Sequence, residues 1–158
     1  MSLVAERIDD PSLCVVHIGK GERITGLLGE LLNPVNSESF HEYRLPANSD
    51  VELHYHDYDK YWLFTAGTPK VTLRLPTGIM KTVHLEPGDM VACVRGVEHT
   101  LWADHELVYF QFSSVLEGGE RRGHLIRSGS ASLPVVGAFS SPVGGISESR
   151  PPTMNHPH

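Results

Sequence analysis

From residue 40 to residue 113 the chain reads as one short strand after another, broken at short intervals by turn chemistry, and this rhythm limits the possible folds more than any other feature. Candidate strands run over 40–45, 51–56, 61–65, 70–75, 81–85, 90–94, 98–103 and 107–113. Between them stand Pro46-Ala47-Asn48, Ala66-Gly67-Thr68-Pro69, Pro76-Thr77-Gly78, Pro87-Gly88-Asp89 and Ala103-Asp104-His105. Such residues either tolerate positive φ or fix φ in advance, which is what tight turns require. Eight short strands with regular turns is the count of an all-β jelly roll, a double-stranded β-helix. No long helical pattern competes with it. Upstream, 13–18 is a short apolar strand candidate ended by Gly19-Lys20-Gly21, and 24–32 fits neither a helix nor a strand period because Gly26 and Gly29 interrupt it. The expected organisation is an N-terminal extension of short strand and turn segments over 1–36, a barrel over 37–127, and an extended C-terminal arm over 128–158.

At 158 residues and 40% hydrophobic content, the chain has material for one ordinary core. Nothing approaches the roughly 18 consecutive apolar residues of a membrane span. The first eleven residues carry acids in place of a basic-then-apolar leader, so a cytoplasmic protein is expected. A formal charge of -6 argues against nucleic acid or anionic membrane as a partner, since both need a basic surface. The one basic cluster, Arg121-Arg122 with Arg127, is short and reads as solvated surface. Two cysteines, Cys14 and Cys93, are too few for a disulfide framework and read as buried thiols.

Ten histidines are many for this length, and most have no partner at a chemically useful spacing. His17, His41, His84, His105 and His124 read as surface or hydrogen-bonded core residues, and His156 and His158 fall in the Pro-rich tail. His54, His56 and His99 differ. Strand side chains alternate faces, so His54 and His56 project to one side, together with position 60. His99 lies beyond a glycine-bearing turn, where an antiparallel neighbour would return it beside the first two. Two histidines on one strand and a third from a distant one form a facial set of imidazole ligands.

The spacing resembles the cupin superfamily. Its first motif reads Gly, five residues, His-x-His, three or four residues, Glu, six residues, Gly; its second reads Gly, five residues, Pro-x-Gly, two residues, His, three residues, Asn. His54, His56, Lys60 and Gly67 carry the first here, and Gly88, Gly96 and His99 the second, all at family spacing and over roughly the middle third of the chain. Lys60 stands in the Glu position, Val94 in the Pro position and Ala103 in the Asn position. The resemblance implies a cupin barrel that binds a small molecule and holds a divalent transition metal (iron, zinc, manganese or nickel) on His54, His56 and His99.

Lys60 reverses the contribution of the carboxylate it replaces. Two like charges near 5 Å at an effective dielectric of 20 repel by about 3 kcal/mol per unit charge product. Three outcomes follow: the lysine pairs elsewhere, with Asp57, Asp59 or another acid, and leaves an open three-histidine site; it is neutral and acts as a catalytic base or substrate contact; or the barrel holds no metal. Tyr58 and Trp62, on the same face, are expected to line a substrate pocket, although an inward Trp is commonly core packing. On the last strand, Tyr109 and Gln111 share one face and Phe110 and Phe112 the other. Either the polar pair faces the cavity and contacts substrate, or the phenylalanines fill the barrel, the commoner arrangement. Three function classes remain: a mononuclear metal enzyme on a small organic substrate, of oxygenase, isomerase, lyase or cyclase type; a metal-free epimerase or isomerase; and a non-catalytic ligand-binding barrel. The arm, with its apolar stretch 133–139, is expected to pack on a neighbouring subunit, making a homodimer.

Overall fold

The computed structural model describes residues 4–127. Among the described residues, eight strands form two antiparallel sheets: β1 (Val15–His17), β2 (Val35–Leu45), β3 (Lys60–Ala66), β4 (Lys70–Arg74), β5 (Met80–His84), β6 (Asp89–Cys93), β7 (Glu98–Trp102) and β8 (Leu107–Ser114). The larger sheet has the order β1-β6-β3-β8-β2 and the smaller β5-β4-β7. Segment 24–32, ambiguous in sequence, contains one short helix, α1 (Gly26–Leu31), whose Leu28 and Leu31 are buried. Among the described residues, no helix is long and apolar enough to cross a membrane.

The pairings are nested about one turn. Lys70 faces His84, Lys60 faces Cys93, His54 faces His99, and Leu45 faces Leu107. The chain from β2 to β8 is therefore a single long hairpin, hinged at the Pro76-Thr77-Gly78 turn and rolled so that successive strand pairs fall in alternate sheets. That is the jelly roll expected from the strand rhythm. β1 adds an edge strand by pairing with β6, which is buried along its whole length.

Segment 51–56 departs from expectation. It is no continuous strand but two isolated bridges, His54 to His99 and Tyr55 to Leu125. The carbonyl of Glu52 accepts from the His54 ring and that of His56 from the Gly96 N–H, so neither extends a ladder. Position 60 accordingly lies in the other sheet, across the bend at 57–59, not on one strand with the histidines. The turn glycines do specific work: at Gly67, φ is +95° and a Cβ would lie 2.6 Å from a Leu107 methyl and 3.0 Å from the Glu106 carbonyl oxygen. Asn48, separated from His54 by five residues, where the motif has glycine, is the non-glycine described residue with positive φ, at 60°.

Both side-chain faces of the larger sheet are identified by ring contacts. Trp62, Phe64 and Tyr109 pack against one another inside the barrel, with Trp62 5.0 Å from the His99 ring. On the opposite face Phe40, Phe112 and Tyr61 form a parallel stack at 4.1 and 4.6 Å. The commoner arrangement expected for β8 is thus reversed: Tyr109 and Gln111 point inward, and Phe112 belongs to an outer aromatic layer. Phe40, from β2, covers that layer.

The expected C-terminal arm, 128–158, with its stretch 133–139, lies outside the described residues.

Candidate metal centre

His54, His56 and His99 converge in the barrel interior, each at most 2% exposed, with one ligand nitrogen from each lying within 4.8 Å of the others. Their orientation is fixed from outside. Each ring places Nδ1 on a backbone carbonyl: His54 on Glu52 at 2.7 Å, His56 on Gly123 at 2.9 Å, His99 on Val97 at 2.9 Å. A carbonyl only accepts, so each Nδ1 carries the proton and each Nε2 a lone pair. The Nε2 atoms of His56 and His99 are buried without a hydrogen-bond partner. This is the arrangement in which metal-ligating imidazoles are held, the outer N–H on an acceptor and the inner lone pair free for the ion. The donor set fits a divalent transition metal with three neutral nitrogens and open positions.

Burial keeps the trio unprotonated. It pushes His54 down to about 4, partly offset by the bond to Glu52, and pushes His56 and His99 well below the ordinary range. The positive charge of Lys60 adds to all three depressions. Lys60 itself is 6% exposed, and burial lowers its amine to about 7.

Of the three outcomes open to Lys60, pairing with Asp57 or Asp59 is not the one the structure shows. Asp57 is held by Arg121 through contacts of 2.7 and 2.9 Å, and Asp59 by Arg95 at 2.7 Å and by the Asn33 and Arg95 backbone N–H groups. Both acids are paired with arginines, and Lys60 is buried.

The other expected site residues gather at the same end. Tyr58 lies 5.0 Å from the His56 ring. The Trp62 indole N–H donates to Gln111 Oε1 at 3.1 Å, while Tyr109 packs edge-on against the same indole. Trp62 and Tyr109 are deep wall residues. Tyr58, Lys60 and Gln111 border a cavity of about 200 Å³. A larger groove of about 710 Å³ lies between the N-terminal segments and β5, and none of the three histidines lines either space.

Two features escaped sequence reading. His124 stacks on His54 at 3.8 Å and stands 5.3 Å from His56, making a fourth imidazole at the site. It arrives because Leu125 bridges to Tyr55, a pairing with no spacing signature. Arg127, expected at the surface, is 5% exposed and joins Arg74 on the buried carboxylate of Glu98, at 3.1 and 2.8 Å, with its guanidinium 4.3 Å over the Tyr55 ring. Arg121 is likewise paired, with Asp57. Segment 121–127 therefore forms a wall of the site.

No family model matches the chain. Over 83 residues it is 35% identical to the uncharacterized protein y4oW of Sinorhizobium fredii, covering 51% of this chain and 35% of that one. The chain thus spans about a third of the length of that curated relative. Among solved structures it is similar to a cupin protein from Bacteroides fragilis, at 16% identity over 60% of this chain and 77% of that one, with a TM-score of 0.41. It is also similar to RmlC from Streptococcus suis in complex with dTDP-D-xylose (14% identity, 51% and 46% coverage, TM-score 0.39). A third is HEPD of Streptomyces albus with 2-hydroxyethylphosphonate and Fe(II) bound (21% identity, 52% and 19% coverage, TM-score 0.42).

Proposed function

We propose that the chain is a metal-dependent enzyme acting on a small organic molecule, with a divalent transition metal held by Nε2 of His54, His56 and His99. The observation that carries this reading is the set of three Nδ1–H to carbonyl bonds, which leaves the Nε2 lone pairs to a cluster whose ligand atoms lie within 4.8 Å of one another, two of them buried without a partner. Buried unsatisfied polar atoms are costly, so such convergence calls for a partner. When bound, the metal supplies Lewis acidity toward a substrate oxygen or, if it is iron, oxygen chemistry, which spans the isomerase, lyase, cyclase and oxygenase types. Trp62, Phe64 and Tyr109 exclude water from the far side. Tyr58, Lys60 and Gln111 orient the substrate on the open side, and Lys60 Nζ holds or takes up a proton.

One observation favours a second reading, a metal-free isomerase or epimerase. A buried amine brought to about 7, bordering the same cavity as the Tyr58 phenol, suits proton transfer at a carbon beside a carbonyl. Elemental analysis of protein purified without an affinity tag separates the two. Near-stoichiometric iron, zinc, manganese or nickel, lost in His54→Ala and His99→Ala, supports the first reading. Metal-free protein that turns over a carbonyl substrate supports the second, and metal-free protein that binds without turnover leaves a ligand-binding barrel.

We further propose a homodimer. β2 is an eleven-residue edge strand, and its Val35 and Phe40 are exposed, a surface that second copies of the chain would cover. A monomer by light scattering at micromolar concentration contradicts this.

A further inference from the structure

The cavity of about 200 Å³ beside the histidines has a one-sided chemistry. None of its lining side chains is a carboxylate, whereas Lys60, Arg122 and His41 all are basic. Lys60 is the buried one, and it makes no hydrogen bond or ion pair with a described residue. The acids beside it in sequence are spoken for, Asp57 by Arg121 and Asp59 by Arg95. Gln111 adds to the same polarity. Its amide oxygen already accepts from the Trp62 indole, so what remains for the cavity is N–H. Tyr58 contributes a phenol at the same wall, and Arg122 stands exposed at the rim. A buried amine facing a space walled by further donors, with no carboxylate among the described residues that line it, is a site short of one negative group.

The geometry points to this cavity as the recognition site for a compact organic anion, whose carboxylate or phosphonate group seats on Lys60 Nζ and the Gln111 amide with Arg122 closing over it. The inference deepens the proposed function by naming the substrate class, and it rests on that reading only for the neighbouring histidines. Size narrows the class further. At about 30 Å³ per water-sized unit, the cavity has room for roughly seven non-hydrogen atoms, which suits a short hydroxy or keto acid or an alkylphosphonate. Lys60 then serves as the anchor that sets one end of the substrate, beside Tyr58, whose ring lies 5.0 Å from that of His56.

The test is isothermal titration of the full chain, stripped of metal and dialysed free of chelator, with glycolate, methylphosphonate and ethylene glycol. Ethylene glycol has nearly the shape of glycolate without the charge. The expected result is saturable binding of at least one anion and none of ethylene glycol. Lys60→Met should weaken anion binding at least about tenfold, the loss of one charge-assisted contact, and Arg122→Gln by roughly two- to fivefold. Binding of glycolate alone assigns a carboxylate, of methylphosphonate alone a phosphonate, and of both their shared anionic chemistry. Failure of both anions to bind, equal binding of ethylene glycol, or unchanged affinity in Lys60→Met overturns the proposal. Should Lys60→Met lack the wild-type circular dichroism spectrum, the exposed Arg122→Gln decides, and an unchanged affinity there overturns it equally. Because the titration is metal-free, its failure leaves the metal reading standing, and an absence of metal on elemental analysis leaves this one standing.

Discussion

His54 and His99 face each other across a single antiparallel bridge, exchanging reciprocal backbone hydrogen bonds of 3.2 and 2.7 Å while their rings approach to 4.6 Å inside the barrel. The two are equally far from the turn about which the chain folds back, so the nested register alone brings them together. His56 follows by strand parity. The site is thus built into the rolled hairpin, and any slip of that register by one residue would turn His99 to the outer face of the smaller sheet.

Acid should destabilise the metal-free protein through these three rings. Each has a folded pKa below its unfolded value of about 6.5, so its contribution is complete above that value and is lost as pH falls toward the folded one, about 4 for His54. Each ring contributes up to about 1.4 kcal/mol per pH unit, and the three together about 4. Urea midpoints measured from pH 7.5 to 5 should drop steeply, and His99→Gln should flatten the slope by about a third. A midpoint independent of pH over that range would contradict the burial of neutral imidazoles.

Lys60 has the same sign at higher pH. Its folded pKa, about 7, lies below its ordinary value of 10.5, so the unfolded chain binds the extra proton and stability rises with pH between the two. At pH 7 the buried amine costs up to roughly 4 kcal/mol relative to a neutral side chain. Lys60→Met should therefore raise the melting temperature of the metal-free protein at pH 7 and abolish the rise between pH 7 and 9. A destabilised Lys60→Met with an unchanged pH slope would show that the amine is solvated and charged.

The strand rhythm and the two motif spacings made the barrel and the histidine trio legible, because alternation and nested pairing are local and periodic signals. What stayed hidden depended on contacts of long sequence separation. Segment 121–127 has no period of its own, and its place is decided by the Tyr55 to Leu125 bridge, so His124 reads as a surface or hydrogen-bonded core histidine and Arg127 as solvated surface. The inward face of β8 was undetermined because Tyr109-Phe110-Gln111-Phe112 puts a polar-tipped pair on one face and two phenylalanines on the other, and either can fill a barrel. Phe40 and Tyr61 settle it by capping Phe112 on the outside. Lys60 could be placed at the site but not given a partner, since only the structure shows both neighbouring acids taken.

The buried cluster Arg74–Glu98–Arg127 makes a sharp stability contrast with the more exposed Arg121–Asp57 pair. Glu98 is 2% exposed and balances two guanidinium groups, so Glu98→Gln leaves them facing each other without a counter-charge. The expected loss is about 3 to 5 kcal/mol. Arg121→Ala should cost about 1 kcal/mol or less, because that arginine is largely solvated. Denaturant titration of both variants checks the difference, and comparable losses would mean that the triad is hydrated.

Restoring a carboxylate at position 60 tests the histidine site and its lysine together. Lys60 faces the interior and its charge reaches all three imidazoles, so Lys60→Glu exchanges a repulsion for an attraction toward a bound dication. Affinity for Zn²⁺, measured by competition with a chromogenic chelator at pH 7.5, should rise by one to two orders of magnitude, about 1.4 kcal/mol for each factor of ten. Lys60→Met, which keeps much of the stem and removes the charge, should fall between wild type and Lys60→Glu. If Lys60 anchors or deprotonates substrate, both variants should lose turnover even as Lys60→Glu gains metal. Equal Zn²⁺ affinity in all three proteins would place Nζ outside the field of the histidines and remove Lys60 from the site.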